Sequence, residues 1–234
     1  MLIDILATFA WTSLLYATSL ALPSLPLFPP NKDTDAIDRT VGQLVRVGAQ
    51  ILIVVGAGID LVIPIGSLTP LVIGFYLYDM IHLATKPYGA SQQLFQVHHV
   101  LTIALAGYLD LIDTPYKVEV NLIYILLETS STALNAVCVL KLYGPIPEGV
   151  SVANVGIYGL TRIVLYPVVV GRCIVDVWHS GTLLINVFPI CILSTLYVAC
   201  FYWFLALVRK HSRDYIDGGV SKRADALDGE SETG

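Results

Sequence analysis

Residues 182–208 read TLLINVFPICILSTLYVACFYWFLALV, a run of 27 positions without an Asp, Glu, Lys, Arg or His. A bilayer is spanned by a helix of about 20 apolar residues. This stretch therefore predicts a transmembrane helix, and the basic pair Arg209-Lys210 follows it directly.

The rest of the chain has the same character. Only 13% of its residues are Asp, Glu, Lys or Arg and 56% are hydrophobic, whereas about a quarter of a soluble domain is charged. Apolar runs predict seven spans, at about 2–22, 44–63, 68–83, 93–109, 118–140, 154–171 and 182–208. The predicted fold class is an all-α membrane protein, a bundle of about seven transmembrane helices.

Composition divides the chain into three parts. Residues 1–39 contain the first predicted helix and a loop with both basic and acidic residues. Residues 40–208 form the main transmembrane domain. Residues 209–234 are polar and rich in Gly and Ser, so we expect a disordered tail on the cytosolic side. The first segment lacks the basic start of a signal peptide and carries Asp4, which favours a retained helix.

The basic residues predict an orientation. With seven spans and the N-terminus lumenal or extracellular, ten Lys and Arg residues fall on the cytosolic side and two, Lys117 and Arg172, on the other. Cytosolic loops carry the excess of positive charge in membrane proteins. The sequence therefore predicts a cytosolic C-terminus.

Costly polar residues interrupt four of the predicted spans. An ionised side chain at mid-bilayer costs at least about 2.5–3.5 kcal/mol on insertion scales, so such residues face the bundle interior. The candidates are Asp79 in span three, His98 and His99 in span four, Glu128 and Asn135 in span five, and Arg162 in span six. The predicted topology places them at similar depths toward the cytosolic side, which predicts one shared cavity.

Structural roles remain open for the same residues. Arg162 could form an interhelical ion pair, with Glu128 as the first expected partner and Asp79 as the second. Glu128 and Asn135 could instead hold neighbouring helices together by hydrogen bonds. The adjacent pair His98-His99 is harder to explain structurally, because neighbouring helical positions point about 100° apart and one ring can face a cavity.

At these residues the sequence resembles the TLC-domain (TRAM/Lag/CLN) family, which includes the ceramide synthases. The matching features are the Tyr-x-x-Asp pattern within Phe75–Asp79, His98-His99-x-x-Thr102-x-x-Leu105, the stripe from Glu128 to Asn135, and the span of Arg162. The resemblance runs over about residues 40–208. It implies a multi-helix bundle of the endoplasmic reticulum or plasma membrane that handles lipids or acyl chains.

The resemblance implies roles for the site residues. His98 and His99 match the His pair that ceramide synthases use in N-acylation of a sphingoid base, so they are the candidate catalytic residues and acyl-CoA would be the co-substrate. We expect Asp79, Glu128, Asn135 and Arg162 to contact substrate.

The sequence also departs from the ceramide synthase motif. The motif's Ser-Tyr, Asn and Arg positions read Leu109-Asp110, Asp113 and Tyr116 here, and the downstream His-Asp-x-x-Asp cluster is missing. These departures are closer to the short TLC-domain-containing proteins, some of which are associated with phospholipid composition. The expected function is therefore binding of lipid or acyl chains with an influence on lipid composition or homeostasis, and ceramide-synthase-like acyl transfer is the alternative.

Other classes fit less well. Span seven has no Lys for a retinal Schiff base, and no Asp-Arg-Tyr or Asn-Pro-x-x-Tyr receptor motif occurs. No cofactor motif is present, the His pair has no metal-ligand spacing around it, and no basic run predicts nucleic-acid binding. The expected partners are membrane lipids, with a homo-oligomer left open.

Overall fold

A computed structural model describes residues 2–25, 27–28, 33–63, 67–85, 92–111 and 116–231, with side chains described except at 2, 92, 183–184 and 214–231. Within these ranges the chain is helical and no strand is formed. The helices are α1 (Leu2–Ala21), α2 (Thr34–Asp60), α3 (Thr69–Thr85), α4 (Gln92–Leu111), α5 (Lys117–Leu140), α6 (Glu148–Tyr158), α7 (Tyr166–His179) and α8 (Leu183–Ser231). A π-helical segment, Gly159–Leu165, joins α6 to α7, so these two elements continue one another.

The helices match the seven predicted spans, and the all-α membrane fold is confirmed. By length and composition, five segments of the described ranges could cross a membrane: Ile3–Ser24, Thr34–Asp60, Gln93–Leu111, Lys117–Leu140 and Ile185–Arg213. The other two predicted spans correspond to α3, which has only 17 residues, and to the helix that the π-helical segment interrupts. The protein is an integral membrane protein.

The last helix enters the C-terminal tail. Helix α8 spans Leu183–Ser231, and its side chains are described as far as Arg213, apart from those of 183–184. The expected disorder of residues 209–234 stays a prediction.

Helices α2 to α8 form a ring. Around it, α2 packs against α3, α3 against α4, α4 against α8, α8 against the α6–α7 helix, that helix against α5, and α5 against α2. Two hydrogen bonds show that α2 and α5 run antiparallel: Asn121 Nδ2 donates to Asp60 Oδ2 at 2.8 Å, and Asn135 Nδ2 donates to Gln50 Oε1 at 3.0 Å. The seven elements together separate the interior of the ring from the surrounding lipid.

The distribution of polar groups suits a lipid solvent. Large apolar side chains such as Ile3 and Val62, each 81% exposed, cover the outside. Many polar side chains lie inside, among them Asp79, Glu128 and Arg162 at 6%, 2% and 4% exposure. In hydrocarbon, polar groups must find partners within the protein, so the interior is where their chemistry must be sought.

Helix α1 lies outside the ring, against α3. The two helices approach closely at Gly74, whose carbonyl oxygen accepts a 3.2 Å hydrogen bond from Thr12 Oγ1. A side chain at this position would meet α1 directly. Small residues allow such close approach between membrane helices.

Replacing Gly74 by Ala should loosen this contact. The added Cβ would lie 2.7 Å from Trp11 Cβ and 3.0 Å from the Thr8 carbonyl oxygen, and neither atom is the flexible end of a side chain. We expect the free energy of unfolding to fall by about 1–3 kcal/mol, measured by denaturant titration in detergent. The control is Gly107→Ala on α4, where the new methyl group meets nothing within 4 Å. Equal stability of the two variants would contradict the close packing of α1.

Candidate functional site

A cavity of about 420 Å³ lies inside one end of the ring, where α2 and α4 begin and α3 and α5 end. This volume is within the range of about 300–1,000 Å³ that small-molecule sites occupy. Its lining residues are Gln43, Arg46, Gln50, Phe75, Tyr76, Asp79, Leu83, Phe95, His98, His99, Glu128, Ser131, Leu134, Asn135, Cys138, Tyr158, Arg162, Trp203, Ala206, Leu207 and Lys210.

All of the site residues predicted from the sequence line this cavity: Asp79, His98, His99, Glu128, Asn135 and Arg162. The prediction that they converge on one cavity is confirmed. The catalytic and substrate-binding roles assigned to them remain predictions.

Asp79 joins three helices of the ring. Its Oδ1 accepts a hydrogen bond from Arg46 Nε of α2, and its Oδ2 lies 2.6 Å from His99 Nε2 of α4. All three side chains are buried. A buried charge that lacks a partner is strongly destabilising, so this junction keeps α2, α3 and α4 in register.

The same junction orients His99. Because Asp79 accepts the proton on Nε2, the lone pair of the neutral ring lies on Nδ1. His99 Nδ1 is buried and has no hydrogen-bond partner among the described residues. A nitrogen held in this way can act as a base or a nucleophile toward a bound molecule.

Glu128 is held by a tyrosine of α3. Tyr76 donates its hydroxyl hydrogen to Glu128 Oε1, and the Gln50 side chain of α2 also hydrogen-bonds the Glu128 carboxyl group. The Glu128 carboxyl is therefore held by side chains of both α2 and α3.

Arg162 crosses the interior from the π-helical segment to α5 and α8. Its Nε donates to Ser130 Oγ at 2.6 Å, its Nη2 to the Leu127 carbonyl oxygen at 2.8 Å and to Ser131 Oγ, and its Nη1 to Cys200 Sγ at 3.4 Å. The guanidinium thus has neutral acceptors on two neighbouring helices. These bonds connect the π-helical segment to α5 and α8 beside the cavity.

The expected ion pair of Arg162 is a wrong prediction. Within the described part of the chain, no direct ion pair joins Arg162 to Glu128 or Asp79; these acids bond to Tyr76, and to Arg46 and His99, respectively. The sequence places an acid and a base at similar depth, but it does not show that serine and carbonyl oxygens lie nearer to the guanidinium.

The π-helical segment presents Arg162 to the interior. Gly159 begins this segment, and Pro167 lies just beyond its last residue. Proline cannot donate a backbone hydrogen bond to the preceding turn, which favours a locally wider turn here. Single π turns within α-helices are frequent at functional sites. This one contains Arg162, which lines the cavity.

Aromatic rings form the wall between α4 and α8. Phe95 stacks on Trp203 with ring centroids 4.8 Å apart, and His98 meets Trp203 edge-on at 5.3 Å. His98 Nδ1 and Trp203 Nε1 are both buried and lack a partner among the described residues. Both histidines lie beside aromatic rings, since His99 is 5.0 Å from the ring of Tyr76, but only His99 also contacts a carboxylate.

Sequence reasoning missed several residues of the cavity: Arg46, Gln50, Tyr76 and Trp203. For α2 a signal existed, since Gln43, Arg46 and Gln50 are spaced three and four apart and so share a helical face. Arg46 was instead counted as a loop charge on the cytosolic side, and its burial corrects that assignment. Tyr76 is the tyrosine of the Tyr-x-x-Asp pattern, but the pattern did not assign it a role. Trp203 carried no comparable signal, because aromatic residues are common throughout membrane helices.

The chemistry available in the cavity is hydrogen bonding and proton transfer. Within the described ranges, no three His, Cys, Asp or Glu side chains lie close enough together to hold a metal ion. The imidazoles, the two carboxylates and the indole N–H are the groups that a bound molecule could engage.

The sequence of the chain matches the model of one protein family. The family model of the TLC domain (TRAM, LAG1 and CLN8) matches residues 69–209, which is more than half of the 234 residues. The chain belongs to the TLC-domain family. No match was found among curated proteins or solved structures. The family match begins at α3, so Arg46 and Gln50 of α2 reach the cavity from outside the matched segment.

Proposed function

We propose that this TLC-domain membrane protein binds a lipid or acyl chain in the cavity and thereby influences membrane lipid composition or homeostasis. The observation that carries the proposal is that the ring gathers costly buried polar groups around one cavity of about 420 Å³. A purely structural bundle would pair these groups with one another. Here several buried polar atoms remain unpaired among the described residues.

The apolar part of the wall supports an amphiphilic ligand. Leu83, Phe95, Leu134 and Leu207 share the cavity with the polar groups. Ligand sites typically combine apolar walls with a few polar groups that fix orientation. We place the protein in the endoplasmic reticulum or plasma membrane and expect membrane lipids as its partners, with self-association open.

Lipid analysis of cells with and without the protein tests the proposal. Loss of the protein should change the acyl-chain or head-group profile, and wild-type protein should restore it. His98→Ala with His99→Ala should not restore it, whereas the control His179→Ala, at an exposed site, should. An unchanged profile in cells without the protein would refute the proposal.

A second candidate function is acyl-CoA-dependent N-acyl transfer to a sphingoid base, favoured by the Asp79–His99 contact of 2.6 Å. The amine nitrogen would attack the thioester carbonyl, and a C–N bond would form as the C–S bond breaks. His99 would take the amine proton and pass it to the departing sulfur, so that coenzyme A leaves as its thiol. Incubation of purified protein with acyl-CoA and a long-chain base tests this activity. Amide formation that Asp79→Asn reduces strongly would support it, and no amide would refute it.

We also propose a lumenal or extracellular N-terminus and a cytosolic C-terminus, because of the ten-to-two bias in basic residues. Even without the buried Arg46 the bias remains nine to two. An epitope tag after Gly234 should be accessible to antibody in cells whose plasma membrane alone is permeabilised. A tag that is reached only after the internal membranes are dissolved, or from outside intact cells, would reverse the orientation and place the cavity on the opposite side.

A further inference from the structure

The interface between α4 and α8 is held differently from the other helix interfaces beside the cavity. Those interfaces are joined by polar side-chain contacts: Arg46–Asp79 for α2 and α3, Asp79–His99 for α3 and α4, Asn135–Gln50 for α5 and α2, and Arg162–Ser130 and Arg162–Cys200 for the π-helical segment with α5 and α8. Among the described residues, one hydrogen bond joins α4 to α8, from the Tyr108 hydroxyl to the Ile185 carbonyl oxygen. Tyr108 is 13 residues beyond Phe95 on α4, so this bond lies about 20 Å from the cavity end of the helix.

Aromatic rings close the α4–α8 interface at the cavity. Phe95 stacks on Trp203 with ring centroids 4.8 Å apart and planes 13° from parallel. Both rings line the cavity and both are only half-buried, so they lie between the cavity and the outside of the ring of helices. Stacked rings make weak contacts, whereas breaking a buried charged pair is strongly destabilising. The α4–α8 interface is therefore the side of the cavity that separates most easily.

The closed position of Trp203 leaves a polar group unsatisfied. Its Nε1 is buried and has no hydrogen-bond partner among the described residues, which destabilises this position of the ring. Trp203 precedes Arg209 by six residues, about 9 Å along the helix. Tryptophan is enriched at this level of a membrane, where its N–H can reach head groups and water. Rotation of the ring away from Phe95 would give the N–H such a partner.

We propose that lipid enters and leaves the cavity sideways from the bilayer, between α4 and α8, when Phe95 and Trp203 separate. The Tyr108–Ile185 hydrogen bond keeps the far end of the interface closed. The ligand is then an amphiphile that already resides in the membrane. The inference rests on the proposed function, because it names the route by which the ligand of the same cavity arrives.

Exchange kinetics with and without the two rings test this route. Purified full-length protein in phosphatidylcholine nanodiscs is mixed with dodecanoic acid or phosphatidylcholine that carries an NBD fluorophore, and uptake and release are followed by stopped flow. Phe95→Ala with Trp203→Ala should accelerate both rates about three- to tenfold, the range expected for loss of one stacked pair, while Kd changes less than either rate. A wall contact that only holds the ligand would instead change release and Kd together.

The control is Phe188→Ala. Phe188 packs on Tyr108 with ring centroids 5.1 Å apart, so the substitution removes a comparable ring contact at the far end of the same interface. Both exchange rates should remain at the wild-type values.

A second variant tests the opposite effect. In Phe95→His with Trp203→His, two imidazoles replace rings whose centroids are 4.8 Å apart, close to the spacing of about 5 Å between two imidazoles on one zinc ion. Zinc should slow uptake and release in this variant, EDTA should reverse the effect, and the wild-type rates should not respond to zinc. Unchanged exchange rates in the double alanine variant, or in the zinc-treated double histidine variant, would overturn the inference and leave the proposed function standing. No binding of either probe to the wild-type protein would overturn both.

Discussion

Replacing Arg46 by Leu should remove most of the folded protein. The substitution leaves the Asp79 carboxylate buried without its arginine, and removing one member of a buried pair typically costs about 3–5 kcal/mol. That loss is a large part of the 5–15 kcal/mol by which domains are usually stable. The measurement is the yield of monodisperse protein in detergent, together with its unfolding midpoint.

The pairing itself is tested by a second change. Arg46→Leu combined with Asp79→Leu removes both charges and should recover part of the yield, because apolar replacements of buried pairs are often tolerated. The matched control is Arg39→Leu near the start of α2, whose hydrogen bond to the Asp35 carbonyl oxygen is exposed. It should change stability by no more than about 0.5 kcal/mol. A double variant no more stable than Arg46→Leu would show that the two residues are not energetic partners.

Arg162→Lys should be almost as damaging as Arg162→Leu. The guanidinium bonds to neutral acceptors on α5 and α8 from three of its nitrogens, and the ammonium of lysine cannot reproduce that planar geometry. Hydrogen bonds to charged groups contribute about 1.5–3 kcal/mol each, so we expect the unfolding free energy to fall by at least about 3 kcal/mol. The control is Arg172→Lys, where the side chain is 74% exposed and little should change.

A double substitution tests whether Arg162 is held by Glu128 or by neutral oxygen atoms. If Arg162 were held by Glu128, then Arg162→Leu with Glu128→Leu would be more stable than Arg162→Leu alone. Because Glu128 bonds to Tyr76 instead, we expect the second substitution to give no recovery and to leave the Tyr76 hydroxyl unpaired. Recovery in the double variant, measured by denaturant titration, would contradict the hydrogen-bond arrangement around Arg162.

The sequence predicted more of the site than is usual for a soluble protein. In a soluble protein a polar residue in a helix is weak evidence for a site, because most polar residues lie on the surface, where water solvates them. In lipid each such residue requires an explanation, so Asp79, His98, His99, Glu128 and Arg162 could be recognised from hydropathy alone. The interruption in the sixth span was less predictable, because a π-helical turn depends on neighbouring structure.

By itself, the sequence determined that the protein is a helical membrane protein, and it predicted that its polar residues share one cavity. Both rest on local composition and on the depth of each residue along its own helix. Only the tertiary structure decided that Asp79 bonds to Arg46 and His99, that Glu128 bonds to Tyr76, and that Arg162 is held by serine and carbonyl oxygens. The order of helices around the ring and their rotation set those distances, and hydrogen bonds depend on differences of a few tenths of an ångström that hydropathy and spacing do not encode.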